Sequence, residues 1–297
     1  MAGADNEQAL AYVRHVAAAY DPQLRFAVPE KNVQPVAGPG GVLICAPHPD
    51  DESLSGALPL RLAREDGCPV TALAITLGSD PDRKESRLQE FADACGVLGW
   101  GWQLAREPLA FDEVGIESRD RDPVAWQVKV AALADILIAR KPALVLLPHG
   151  DDAHPTHVGV HYLCMEALLL YSKACGDGEV LVAETEFWRP LRAPNLLIGV
   201  SEEDLARLLV AVGQHRGEIA RYPYHAQLPF RMVDTVRRGS ELLAGFGSGE
   251  PLFRFGELYR LARFKNGRLG RKAQGGLTVA PGQRLTLAAL RTACACP

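Results

Sequence analysis

Short apolar runs alternate with amphipathic stretches along most of this chain. Val42-Leu-Ile-Cys-Ala46, residues 70–77 (Val-Thr-Ala-Leu-Ala-Ile-Thr-Leu) and Leu144-Val-Leu-Leu147 are continuous apolar runs of strand length, with residues 100–104 as a shorter candidate. Runs this short, bounded by Gly, Pro and Asp, predict strands buried on both faces. Between and after them, residues 54–64, 83–98, 124–140 and 158–171 predict helices, with Gly99 and Lys141-Pro142 as stops. Residues 7–20 predict a further amphipathic helix.

This order predicts an α/β protein: a Rossmann-like three-layer fold with a mainly parallel sheet. In such sheets, sites form beyond the carboxyl ends of the strands. The expected organisation is an N-terminal helix and Pro/Gly-rich linker (1–41), a main α/β unit (42–225), and C-terminal additions packed on the same domain (226–297). Beyond Glu202 the pattern predicts helices, then a tail from Arg268.

Composition narrows the function classes. The 297 residues are 47% hydrophobic and 23% charged, as in ordinary soluble globular proteins, and the formal net charge of −4 argues against nucleic acid as a partner. Residues 260–272 are locally basic and read as a solvated C-terminal surface. With no 18-residue apolar run, no membrane span is expected. The polar, acidic start and seven cysteines without a disulfide spacing fit a reduced, cytoplasmic protein. Cys294 and Cys296 make a poor metal site at a chain end. The oligomeric state stays open, a homo-oligomer included.

Two polar clusters follow two of the predicted strands. Cys45-Ala-Pro-His-Pro-Asp-Asp-Glu-Ser53 places an imidazole and three carboxylates within five residues, and His149-Gly-Asp-Asp-Ala-His-Pro-Thr-His157 follows the run at 144–147. At two strand ends they can converge on one ion. His48 and Asp51, three apart at a strand-to-helix junction, can face one point, with His157 as the third ligand. Two imidazoles, one carboxylate and an open position for water are the signature of a catalytic zinc, although another divalent metal suits the same donors. Asp50 is then placed as general base and His154 as oxyanion donor or acid, with Asp151 or Asp152 orienting His154. Taken alone, Asp50-Asp51 is as readily a helix start, since carboxylates favour helix N-termini. His149 and His161 read as loop or packing residues, and Cys45 as a buried strand residue.

Pro47-His-Pro-Asp-Asp-Glu52, followed by Gly56, resembles the signature of the LmbE/PIG-L-like metal-dependent deacetylases, and His154-Pro-Thr-His157 is similar to that family's His-Pro-Asp-His. The resemblance covers roughly residues 42–225. It implies His48, Asp51 and His157 as zinc ligands, Asp50 as base and His154 as oxyanion or acid histidine. It further implies substrate contacts for Arg87, in an Arg-x-x-Glu helix, for Asp112, and for His215 of a later His-x-Ser-Gln motif. The implied reaction is removal of an N-acetyl group from a small-molecule amino sugar or glycoconjugate. Trp188, Tyr222 and Tyr224 are candidates to stack on a sugar, with ordinary packing as the alternative.

Two departures stand out. Thr156 replaces the family's aspartate between the two histidines, and Gly217-Glu218 replace Ser-Gln. The same ligand set also allows an amidase or esterase acting on another small molecule, or a non-catalytic metal- or sugar-binding homologue.

Overall fold

The computed structural model describes residues 2–27, 40–176, 179–245, 253–270 and 276–294. The linker at 28–39, Lys272 of the basic stretch and Cys296 lie outside the described residues. The first helix, α1 (Ala2–Ala19), is exposed along its described side chains. Then come β1 (Val42–Ala46), α2 (Asp51–Leu54), α3 (Ala57–Asp66), β2 (Val70–Ala74), α4 (Lys84–Leu98) and β3 (Gly101–Leu104). The middle of the chain forms α5 (Ile116–Arg121), α6 (Pro123–Arg140), β4 (Leu144–Pro148), α7 (Pro155–Ala174), β5 (Val180–Thr185) and β6 (Leu196–Val200). It continues through α8 (Glu202–Val212), α9 (Arg216–Ile219), α10 (Tyr224–Ala244), β7 (Phe255–Lys265), β8 (Arg268–Leu269), β9 (Leu277–Val279) and α11 (Leu287–Ala293).

Among the described residues the sheet has nine strands, ordered β3-β2-β1-β4-β5-β7-β6-β9, with β8 paired to β7. The strands from β3 to β5 are mutually parallel, whereas β7 runs antiparallel to both β5 and β6. The expected mixed α/β class with a mostly parallel sheet is what forms. Period-2 alternation divides each apolar run between two cores. Val42, Ile44, Leu144 and Leu146 face the layer of α3, α4, α8 and α10. Leu43, Cys45, Val145 and Leu147 face α6 and α7. Helices on both faces explain why these strands read as unbroken apolar runs.

The elements differ from expectation in informative places. The run at 70–77 leaves the sheet after Ala74, and Thr76 turns back so that its hydroxyl donates to the Pro47 carbonyl at 2.7 Å. The helix expected at 54–64 is broken at Ser55-Gly56, where a Cβ on Gly56 would sit 2.7 Å from Leu208. The basic C-terminal stretch is not simply a solvated surface. Its first half is β7, inside the sheet, where Arg260 pairs with Glu184 and Arg263 with Glu179. Among the described residues no helix is long and apolar enough to cross a membrane.

β1 lies between β2 and β4, and the chain order reverses there. A crevice opens at such a switch point because the loops after neighbouring strands turn to opposite faces. The loops after β1 and β4 carry the two polar clusters.

Candidate metal centre and active site

The two clusters meet. Donor atoms of His48, Asp51 and His157 all lie within 4.8 Å of one another. His48 stands just past β1, Asp51 opens α2, and His157 sits in the first turn of α7. Asp51 is the hub: one of its oxygens lies 3.4 Å from His48 Nδ1 and 3.3 Å from His157 Nε2. The same oxygen accepts the His48 backbone N–H at 2.9 Å, fixing the junction.

These residues fit a divalent cation. A tetrahedral ion with bonds of about 2.0 Å sets its ligand atoms roughly 3.3 Å apart. Both ring nitrogens of His157 are buried without a hydrogen-bond partner, an arrangement that normally costs free energy. Burial disfavours an imidazolium here, yet Asp51 and Asp152 outweigh it and lift the His157 pKa to about 10. Burial would likewise raise the Asp51 pKa, but His157 and His48 carry it far below the usual carboxylate range. The site is therefore short of positive charge, and a proton on His157 stands where a cation would.

Asp50 lines the same cavity, and its side chain caps no helix. The helix-start reading thus does not account for its carboxylate. Burial, and then the neighbouring Asp51, raise its pKa well above the ordinary value. Its backbone has φ 126° and ψ −32°, a conformation L-residues avoid at a cost of about 1–3 kcal/mol.

His154 caps α7, its Nδ1 accepting the Thr156 backbone N–H at 3.2 Å. With Nδ1 engaged as acceptor, the neutral ring carries its proton on Nε2. Burial, together with the charges of His48 and His157, lowers the His154 pKa to about 4. The three imidazoles cluster, with the His154 ring centroid 5.0 Å from that of His48 and 5.1 Å from that of His157. The expected orientation of His154 by a neighbouring carboxylate side chain takes another form. From His154, Asp152 accepts the backbone N–H alone, at 2.9 Å; its other oxygen accepts the Trp188 backbone N–H at 3.3 Å and lies 3.7 Å from His157 Nδ1.

The remaining expected residues separate. Arg87 borders the cavity and donates to the Pro49 carbonyl at 3.1 Å. It packs so tightly on Gly78 (φ 88°) that a Cβ there would lie 2.2 Å from its guanidinium. Asp112 lies on the cavity rim, half-exposed and paired with Lys84. His215 does not reach the cavity; it is fully buried, with Nε2 2.7 Å from Glu52 Oε1. His161 faces the Pro148 carbonyl and Glu184, and His149 the Arg189 carbonyl, so neither joins the cluster.

The cavity measures about 850 Å³. An aromatic wall continues from the histidines: Phe187 stacks on His157 at 5.9 Å and Trp188 on His154 at 5.9 Å, and Tyr224 meets both at 5.8 and 6.5 Å. Phe187 and Glu218 also line it. A Phe between Glu and Trp carries no local signal, but Glu218 stood in the altered Ser-Gln position.

Fold and site together give an α/β protein in which three residues at two strand ends could hold a cation. Residues 43–168 match the family described as PIG-L: GlcNAc-PI de-N-acetylase. The two motifs, His48 to Glu52 and His154 to His157, both fall within that matched segment. It is 29% identical over 155 residues to a 1D-myo-inositol 2-acetamido-2-deoxy-alpha-D-glucopyranoside deacetylase of Nocardia farcinica, covering 43% of this chain and 52% of that protein. The chain thus spans about half the length of such curated relatives. Two solved structures share the fold. N,N'-diacetylchitobiose deacetylase from Pyrococcus horikoshii has a TM-score of 0.51 at 18% identity, covering 86% of this chain and 92% of that one. GalB, the 4-carboxy-2-hydroxymuconate hydratase from Pseudomonas putida, has 0.52 at 15%, covering 80% and 99%. One fold serving two reactions means the fold does not specify the chemistry.

Proposed function

We propose that this protein is a zinc-dependent N-deacetylase that removes the acetyl group from an acetylated amino sugar or its glycoconjugate. The observation that carries the reading is the convergence of His48, Asp51 and His157 on the cavity floor with Asp50 beside them. The match over residues 43–168 and the Nocardia relative's name support the amino-sugar class.

His48, Asp51 and His157 would hold the ion, which when bound polarises a carbonyl and makes water more acidic. Asp50, its carboxylate raised by burial and Asp51, accepts the proton from the attacking water. His154, neutral and protonated on Nε2, donates a hydrogen bond to the oxygen that gains charge as the carbonyl carbon becomes tetrahedral. Asp50 then returns its proton to the nitrogen as the C–N bond breaks, releasing acetate and a free amine. Trp188 and Tyr222, both nearly half exposed on the cavity, offer ring faces to a pyranose.

The test is acetate release by the zinc-loaded protein from N-acetylglucosamine derivatives, set beside other N-acyl amides, esters and an enol-acid substrate for hydration. Turnover confined to N-acetyl amino sugars supports the reading. Faster turnover of another class, or zinc binding with no turnover at all, overturns it.

A further inference from the structure

Behind the cavity floor lies a buried pair that the proposed chemistry does not use. Glu52 and His215 have fully buried side chains, are 163 residues apart in sequence, and meet at 2.7 Å. Neither lines the cavity, so neither touches substrate there.

What they touch is the peptide that precedes the base. The other Glu52 oxygen, Oε2, accepts the Asp50 backbone N–H at 2.9 Å. The carbonyl of the same peptide, that of Pro49, accepts from Arg87 at 3.1 Å. The Pro49–Asp50 peptide is thus gripped at both ends, one by a carboxylate and one by a guanidinium. Such a grip is what a residue at φ 126° needs, since strained backbone persists only where its surroundings over-determine it. Glu52 is in turn held through Oε1, which accepts from the Ser53 hydroxyl at 2.6 Å and from His215 Nε2. His215 stands at the start of α9, so its own position is set by a distant part of the chain.

We infer that Glu52 and His215 are positioning residues: His215 fixes Glu52, and Glu52 with Arg87 holds Asp50 in the strained backbone conformation that aims its carboxylate into the cavity. The inference rests on the reading of Asp50 as the base, and assigns the pair no contact with the reacting atoms. The plainer reading is a buried pair that only ties α9 to the loop after β1.

The test compares His215→Ala, His215→Gln and Glu52→Gln as zinc-loaded full-length proteins. Gln at 215 keeps a side-chain N–H for Glu52. Gln at 52 has one carbonyl oxygen, so it serves Asp50 and His215 together only if His215 moves its proton to Nδ1, which is buried without a partner. Displacing a catalytic group by about 1 Å costs up to roughly a hundredfold, so His215→Ala and Glu52→Gln should lose about 10- to 100-fold in kcat. KM and zinc stoichiometry should hold, and His215→Gln should recover most of the loss. Crystal structures should show Asp50 moved from φ near 126° in His215→Ala but not in His215→Gln. Unchanged kcat with Asp50 in place, or an equal loss of zinc and melting temperature in both His215 variants, overturns the inference. If the wild-type protein releases no acetate, the proposed function fails, while the Asp50 backbone in the variant crystals still decides this point.

Discussion

The strain at Asp50 can be separated from its charge by comparing Asp50→Asn with Asp50→Gly. Both substitutions remove the carboxylate and the repulsion from Asp51, but only glycine removes the Cβ that makes φ 126° unfavourable. With ψ at −32° the residue lies outside the left-handed helical region, so the strain belongs near the upper part of the usual range, about 2–3 kcal/mol. Glycine's greater freedom in the unfolded chain returns about 0.5–1 kcal/mol of that. The glycine variant should therefore be more stable than the asparagine variant by about 1–2.5 kcal/mol, or roughly 2–5 °C in melting temperature for a chain of this size. Both should lose turnover by about a hundredfold or more, the scale of a missing general base, while keeping zinc. The assays are thermal unfolding and acetate release on zinc-loaded protein. An asparagine variant that melts at or above the glycine variant would refute the strain argument, and near-normal turnover in either would move the base elsewhere. Glu52 is a poor successor, since its carboxylate is enclosed behind the floor.

Three further outcomes are expected. His48→Ala or His157→Ala should abolish stoichiometric zinc binding by elemental analysis, since each removes one of three donors; full occupancy in both would discard the ligand set. Glu257 is buried, and despite hydrogen bonds from Tyr259 and Ala57 and the nearby Arg231 its carboxyl is pushed up to about 7. A carboxyl raised on folding stabilises most below its unfolded pKa of about 4.3, and that contribution is lost as pH rises through about 7. Denaturant melts between pH 5 and pH 8 should lose up to about 3 kcal/mol through this group, and Glu257→Gln should flatten the slope; equal slopes would refute it. Gly159→Ala would put a Cβ 2.6 Å from Gly115 Cα and 2.9 Å from the Val114 carbonyl carbon, against backbone that borders the cavity. It should cost about 1–3 kcal/mol in thermal unfolding and raise KM by displacing that wall, and an unchanged KM would show that the wall yields elsewhere.

Much of the segment from β1 to α7 was legible in the amino-acid order because its signals are local. Burial on both faces writes each central strand as an unbroken apolar run, so β1 and β4 could be placed from Val42 and Leu144 onward. His48 and Asp51 are three residues apart across a strand end, and the sequence therefore carries their proximity without help from packing. The approach of His157 was expected from the rule that sites gather at strand ends, and the three side chains come together because β1 and β4 are neighbours. Other features depend on contacts that no local pattern encodes. β7 was hidden because its cations, Arg260 and Arg263, read as surface until Glu184 and Glu179, 76 and 84 residues earlier in the chain, come alongside them. The positive φ of Asp50 is invisible in its residue type. It arises from a grip on one peptide by Arg87 and Glu52, with His215 behind, and only the packed tertiary structure brings those three together.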